Sequence, residues 1–169
     1  MKKNIKKLTE SGIIAAIYVA LTIISAMMGL ASGAVQVRIS EILCVLPIYT
    51  TAAIPGVTVG CLIANIICGG TIYDIIFGTL ATLIGSLIAY LFRKWKYVAS
   101  IPTIISNAII IPLVLIVSGV GTWDMLPYFM LTVGVGEIIS CGVLGTALIF
   151  YLEKHRSTTA MLFGKNKDI

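Results

Sequence analysis

Long runs of apolar residues, separated by short polar stretches, extend over most of the chain. These runs are long enough for helices and predict six of them, at about 9–30, 41–54, 56–69, 74–92, 98–118 and 126–152. The pair Pro55-Gly56 separates the second helix from the third, because proline ends a helix and glycine permits a turn. These two helices have about fourteen residues each and reach about 21 Å, less than a hydrocarbon core of about 30 Å. They form either two spans or one short bent pair.

The composition indicates an integral membrane protein. Hydrophobic residues make up 59% of the 169 residues, charged residues make up 11%, and the mean hydropathy is +1.06. A soluble domain is about half apolar and a quarter charged. The basic segment 2–7, followed by an apolar run, has the look of a secretory signal peptide. The apolar run exceeds a signal core, however, so we expect a retained first helix. We therefore expect one all-α membrane domain over residues 1–169, with six transmembrane helices.

The basic residues predict the orientation of the helices. Eleven of the twelve Lys and Arg residues lie in the N-terminal segment, in the stretch 93–96 or after residue 153. Cytoplasmic loops carry the excess of basic residues, so both termini are predicted inside. The twelfth is Arg38, which falls on the predicted outer side between two apolar runs. The orientation of the helices does not explain a basic residue at this position, so we expect Arg38 to act on groups in its immediate surroundings.

Glu137 is the strongest single candidate for a functional residue in the sequence. It lies about eleven residues into the last predicted helix, about 16 Å along its axis. An ionisable group inside a membrane helix is costly and usually faces a cavity or a partner. The same helix face carries Gly134, Ser140 and Cys141, whose small side chains leave room for a flat ligand. Alternatively, Glu137 is protonated or pairs internally, for example with Asn107.

Further polar residues are candidates for a ligand site. Asn107 in the fifth helix and Asn65 in the third either contact a ligand or bind helices together through hydrogen bonds. At two outer helix ends an aromatic ring adjoins a carboxylate, in the pairs Tyr73-Asp74 and Trp123-Asp124. Each pair is either an interfacial ring with a helix N-cap, or a stacking ring with an anion for a cationic aromatic ligand.

Small residues form a ridge on the first helix. Gly12, Ala16 and Ala20 repeat every four residues, a spacing that allows another backbone to approach closely. The ridge either packs within this protein or docks to a separate membrane protein.

The sequence gives little support for catalysis or metal binding. The four cysteines are scattered without a CxxC pair, and the single histidine, His155, lies in the basic tail. There is no GxxxxGK[ST] phosphate loop, no HExxH and no Ser-His-Asp set. We expect no enzyme activity, no cofactor and no metal site. The lack of a clear internal repeat argues against an inverted-repeat transporter.

In combination, these features resemble a known family. The six spans, the basic N-terminus and the AxxxA ridge at Ala16 and Ala20 resemble S-components, the substrate-binding subunits of energy-coupling factor (ECF) transporters. Within that group, VRISE at 37–41, GGTIYD at 69–74 and Gly136-Glu137 are similar to the queuosine-precursor transporter family of QueT type. The resemblance covers about residues 5–155.

The resemblance implies a subunit in the bacterial plasma membrane that captures a vitamin-like substrate from outside. The outer loop 31–40 would be the substrate lid. The substrate would be a 7-deazaguanine such as preQ1, preQ0 or queuine. The partners would be a transmembrane coupling protein of EcfT type, docked on Gly12, Ala16 and Ala20, and two cytoplasmic ATPases, either dedicated or shared. No nucleic acid is expected as a partner.

The polar residues fit such a ligand. A deazaguanine presents an N–H and an amino group side by side, and Glu137 can accept both as a charge-assisted pair. Arg38 can donate to the ring carbonyl or hold Glu41 in place. Glu41, Asp74 and Asp124 are carboxylates that can meet the ammonium of preQ1. Tyr73 and Trp123 are rings on which the ligand can stack. The predicted polar or small neighbours of the ligand are Asn107, Ser140 and Gly134.

Three other interpretations stay open. The protein can be an S-component for another small cationic substrate, such as a thiamine-like vitamin. It can be a structural protein in which Glu137 only pairs helices. It can also be a self-sufficient proton-coupled carrier with Glu137 as the proton site.

Overall fold

The computed structural model describes residues 2–30, 37–155 and 159, and this part of the chain is all-helical, without strands. A 3₁₀ helix covers Ile39–Ile48. The remaining elements are labelled α1 to α5 and cover Lys2–Met27, Ala53–Ile67, Asp74–Leu91, Lys96–Val117 and Trp123–Lys154.

Four of these helices, α1, α3, α4 and α5, are long and apolar enough to cross a membrane. The 3₁₀ helix and α2 are shorter apolar helices. The described residues therefore form a multi-pass membrane bundle with four long helices and two short ones.

The second and third helices differ from their predicted boundaries. The sequence predicts a second helix over about 41–54, whereas the structure has a ten-residue 3₁₀ helix that ends at Ile48. A 3₁₀ helix rises about 2.0 Å per residue, so ten residues reach about 20 Å. The turn follows at residues 49–52, and Pro55 lies in the first turn of α2. Proline is tolerated there because the first backbone N–H groups of a helix have no partner within it. The predicted break at Pro55-Gly56 therefore lies a few residues too late.

Glycines allow α1 and α2 to pack closely. A Cβ atom added to Gly60 would lie 2.8 Å from the Cβ of Tyr18, and one added to Gly56 would lie 2.9 Å from the Cβ of Ile14. The face of α1 that carries Ile14 and Tyr18 is thus the inner face.

The predicted ridge lies on a different face of α1. Gly12, Ala16 and Ala20 are exposed, and a Cβ atom on Gly12 would meet nothing within 4 Å. The ridge is therefore not used for packing among the described residues.

Polar contacts identify the two ends of the bundle. Near the chain termini, Glu10 accepts a hydrogen bond from Thr50, and Lys96 forms a 2.7 Å ion pair with Glu153. Tyr49 links these two regions, because its hydroxyl donates to the carbonyl of Ile149 at 3.4 Å. We call this the charged end.

At the opposite end, the loop before α3 meets the loop after α4. The hydroxyls of Thr71 and Ser118 lie 3.0 Å apart there. The polar residues of the functional site lie toward this second end.

Candidate functional site

A small polar cavity lies where the start of the 3₁₀ helix meets α3, α4 and α5. Its volume is about 10 Å³, which is about the space of one water molecule. Its charged and amide lining comes from Arg38, Glu41, Asn107 and Glu137. The rest of the lining is Gly78, Thr82, Ile111 and Val133.

Glu137 and Asn107 form a buried pair across α5 and α4. The Asn107 side-chain amide donates to Oε1 of Glu137 at 2.9 Å, and both side chains are buried. The second carboxylate oxygen, Oε2 of Glu137, and the amide oxygen, Oδ1 of Asn107, have no hydrogen-bond partner in the described structure. A buried polar atom without a partner costs about 1–3 kcal/mol. The pair therefore leaves two acceptors that a ligand donor can satisfy.

Glu41 is buried too, but both of its oxygens have partners. The hydroxyl of Tyr18 on α1 donates to Oε1 at 2.5 Å, and the thiol of Cys44 donates to Oε2 at 3.0 Å. Glu41 is only 1% exposed and lies in the first turn of the 3₁₀ helix. Its carboxylate is thus held in one orientation by the protein.

Arg38 adjoins both carboxylates without a direct ion pair to either in the described ranges. Its guanidinium lies within electrostatic range of Glu41 and Glu137 and donates at 3.5 Å to the side-chain oxygen of Asn65. The amide of Asn65 donates in turn to the carbonyl of Asp74 at 3.1 Å. Asn65 therefore orients the arginine toward the cavity and joins it to the start of α3.

Two π-helical turns border the site. One covers Ile138–Leu144 and begins directly after Glu137, and the other covers Asp74–Gly78 and ends at a lining residue. A π turn contains an extra residue, and such turns often occur at functional sites. Gly78 leaves little room, because an added Cβ would lie 3.2 Å from the Asn65 amide nitrogen.

Asp74 is placed outside the cavity lining and caps a helix. Its carboxylate accepts from the backbone N–H of Thr71 at 2.9 Å, while the Thr71 hydroxyl accepts from the Asp74 N–H at 3.2 Å. This reciprocal arrangement is a capping box. Asp74 therefore takes part in capping the helix and does not line the cavity.

The other predicted outer residues are not brought to the cavity either. Trp123 is 66% exposed, Tyr73 is 41% exposed, and Asp124 is exposed. Ser140 is fully buried, and Gly134 is half-buried, but neither lines the cavity. Residues 31–36 of the predicted lid lie outside the described residues. Residues 37–38 directly precede the 3₁₀ helix, and residues 39–40 begin it.

The sequence analysis missed the contribution of α1. Tyr18, Thr22 and Ser25 lie on its buried face and bond to the start of the 3₁₀ helix. The Thr22 hydroxyl donates to that of Ser40 at 2.8 Å, and Ser25 accepts from the N–H of Ile39 at 3.0 Å. The signal was the spacing of these polar residues by four and three positions within an apolar run, which places them on one helix face.

No group of three or more metal-ligating side chains comes together in the part of the chain that the structure describes. The lining of the cavity includes hydrogen-bonding and charged side chains.

Comparisons with known proteins agree with the family predicted from the sequence. A family model described as "QueT transporter" matches residues 8–154. The queuosine precursor transporter QueT of Lactococcus lactis subsp. cremoris (strain MG1363) is 38% identical over 85 residues, which are 50% of this chain and 50% of that relative. This match spans only about half of the relative's length, and no solved structure matches the chain. Because the family model covers most of the chain, the protein belongs to the QueT transporter family.

Proposed function

We propose that this protein is the substrate-binding S-component of an ECF-type importer and captures a queuosine precursor. The ligand is a 7-deazaguanine such as preQ1, or queuine, taken up across the bacterial plasma membrane. Membership of the QueT family supports this function, and the partly matching relative is itself named as a queuosine precursor transporter. The protein needs no catalytic group of its own, and partner ATPases supply the energy.

The observation that carries the proposal is the unpaired acceptor pair at Glu137 and Asn107. A deazaguanine presents a ring N–H beside an exocyclic amino group. These two donors suit Oε2 of Glu137 and Oδ1 of Asn107, which lie in one buried site without partners. The guanidinium of Arg38, which lines the same cavity, donates to the ring carbonyl. Charge-assisted bonds of this kind are about twice as strong as neutral ones.

Ligand entry requires the site to expand. A cavity of about 10 Å³ does not hold a bicyclic ring. Arg38 and Glu41 lie at the start of the 3₁₀ helix, directly after the predicted lid, whereas Asn107 and Glu137 lie within long helices. We propose that the side chain of Arg38, which forms no ion pair among the described residues, moves aside to admit the ligand.

The first test is calorimetry on the purified full-length protein with preQ1 and queuine. Glu137→Gln keeps the size of the side chain but removes its charge, so we expect at least about tenfold weaker binding. Glu10→Gln is the matched control, because Glu10 lies at the charged end. The affinity of this variant for the ligand should equal that of the wild type. Unchanged affinity in Glu137→Gln would remove this residue from the site. Lack of binding to any deazaguanine would contradict the proposed substrate.

The exposed ridge supports a docking role. Gly12, Ala16 and Ala20 pack against nothing in the described chain, so another membrane protein can approach there. We propose that the ridge contacts the transmembrane coupling protein of EcfT type.

Ala16→Trp tests this docking surface. The bulky ring should abolish uptake by cells that contain the ATPases, while ligand binding by the purified protein stays intact. Ile105→Trp is the control, because Ile105 is an exposed apolar residue on α4, which packs mainly on α3 and α5. Normal uptake by Ala16→Trp would show that the ridge does not dock.

A proton-coupled carrier is the second candidate function. It is favoured by the buried position of Glu137, whose Oε2 has no partner among the described residues, since such a carboxylate can serve as a proton site. Substrate uptake in cells that lack every ATPase partner would support this carrier and contradict the ECF assignment.

A further inference from the structure

The two buried glutamates at the cavity differ in how many of their carboxylate oxygens accept a hydrogen bond from the protein. Glu41 accepts a hydrogen bond at each oxygen, from Tyr18 and from Cys44. Glu137 accepts one bond, from Asn107, and its Oε2 has no partner in the described part of the chain. Only one of the two carboxylates therefore retains an acceptor for a ligand.

The charged residues that line the cavity do not balance. With all three groups ionised, Arg38 contributes one positive charge, and Glu41 and Glu137 contribute two negative charges. The lining then carries one excess negative charge. A buried carboxylate without an opposite charge takes up a proton, so a ligand that brings a positive charge favours the ionised site.

The role of Glu41 follows from its fixed position. It lies three residues after Arg38, which directly precedes the 3₁₀ helix, and its bonds to Tyr18 and Cys44 hold its carboxylate at the cavity that Arg38 also lines. Of the two glutamates, only Glu137 keeps a carboxylate oxygen without a partner among the described residues, so we assign the charge that the ligand meets to Glu137.

On the basis of the proposed function, we infer that the cavity selects a queuosine precursor with one positive charge and that Glu137 determines this selectivity. Tyr18 and Glu41 are positioning residues: Tyr18 holds the carboxylate of Glu41 at the cavity, and the charge of Glu41 acts on Arg38 without contact between Glu41 and the ligand.

This inference separates two precursors that share one ring system. The aminomethyl group of preQ1 is protonated and gives the ligand a single positive charge. In preQ0 a neutral nitrile takes the place of that group. Both ligands present the same ring donors to Glu137 and Asn107, but their 7-substituents differ in charge and in hydrogen bonding. The part of the affinity difference that disappears in Glu137→Gln therefore reports on the charge of Glu137.

The experiment compares the affinities of full-length protein in lipid nanodiscs for preQ1 and preQ0. We expect preQ1 to bind at least about 30-fold more tightly, because leaving a buried charge without its partner has a cost of that size. In Glu137→Gln the ratio of the two affinities should fall toward one, whereas Glu10→Gln should keep the wild-type ratio. Equal affinities in the wild type, or an unchanged ratio in Glu137→Gln, would overturn the inference.

A charge-balanced variant tests the separate roles of the two glutamates. Arg38→Gln combined with Glu41→Gln removes one charge of each sign and leaves the excess negative charge in place. Both ligands should bind more weakly, while the preference for preQ1 persists. Loss of the preference in this double variant would assign the selectivity to Glu41 or Arg38 instead.

Tyr18→Phe tests the positioning role without a change of charge. The loss of the Tyr18 hydroxyl should weaken the binding of preQ1 and of preQ0 by similar factors, because the binding of both ligands depends on the placement of Arg38. If Glu41 contacts the ligand, the freed Oε1 should instead change the affinity for preQ1 alone, which would contradict the assignment.

The outcomes also distinguish this inference from the proposed function. If preQ1, preQ0 and queuine all fail to bind, the proposed substrate is wrong and the charge selectivity fails with it. If preQ0 binds as tightly as preQ1, the queuosine-precursor function stands and only the charge selectivity is overturned.

Discussion

At the scale of single residues, the buried polar side chains differ in whether their hydrogen-bonding atoms already have partners in the protein. Asn107 is central, because its amide nitrogen donates to Glu137 while its oxygen has no partner among the described residues. Asn65, in contrast, uses its oxygen for Arg38 and its nitrogen for the Asp74 carbonyl. Two asparagines that look equivalent in the sequence therefore differ: one leaves a free acceptor in the site, and the other is fully engaged in holding the structure.

Replacement of Asn107 should affect both stability and binding. Asn107→Ala leaves Oε1 of Glu137 without its donor, so we expect a loss of about 1–3 kcal/mol in the free energy of unfolding. Binding of preQ1 should weaken by at least about tenfold, because one proposed acceptor is lost as well. Thermal unfolding in detergent and calorimetry measure the two effects. Asn4→Ala, at an exposed position of α1, is the control, and an Asn107→Ala protein with unchanged affinity would contradict the proposed contact.

At the scale of the elements, α1 has two faces with separate uses. Its inner face carries Tyr18 and Thr22, which bond to the start of the 3₁₀ helix, and packs on α2 at Gly60. Its exposed face carries Gly12 and Ala16. The same helix thus supports the cavity on one side and offers a docking surface on the other.

Two glycine substitutions test this division of α1. Gly60→Ala introduces a Cβ 2.8 Å from that of Tyr18, so we expect a loss of about 1–3 kcal/mol in the free energy of unfolding through overpacking. Gly12→Ala is the matched control, because a Cβ there meets nothing within 4 Å and alanine favours the helix. Both are measured by thermal unfolding in detergent. Equal stability of the two variants would show that the close approach of α1 and α2 does not limit packing.

At the scale of the whole molecule, the charges separate the two ends of the bundle. The charged end holds Lys6, Lys7 and Lys96, while the cavity with Arg38 and Glu137 lies toward the other end. Basic residues are in excess on the cytoplasmic side of membrane proteins. We therefore propose that the charged end faces the cytoplasm and that the cavity opens to the outside.

Cysteine labelling of intact cells tests this orientation. In a Cys68→Ser background, where the other three cysteines are buried, Val120→Cys should react with a membrane-impermeant maleimide. Lys94→Cys, near the charged end, should react only after the cells are permeabilised. Labelling of Lys94→Cys in intact cells, with Val120→Cys protected, would reverse the proposed orientation.

The sequence by itself determined the properties that adjacent residues carry. Apolar runs long enough to span a bilayer identified a helical membrane protein, and ordered motifs identified its family. The capping box from Thr71 to Asp74 is also local and was open to prediction from its spacing. Glu137 could be singled out because a carboxylate within a membrane helix is costly wherever that helix packs.

Only the tertiary structure decided which polar groups meet. Arg38 and Glu137 are far apart in the chain, and their convergence depends on how the 3₁₀ helix packs against α4 and α5. The same packing left Trp123 exposed and brought Tyr18 onto Glu41. The physical reason is that hydropathy places residues in the bilayer by depth, whereas the direction in which each helix face points is set by close packing at small residues such as Gly60.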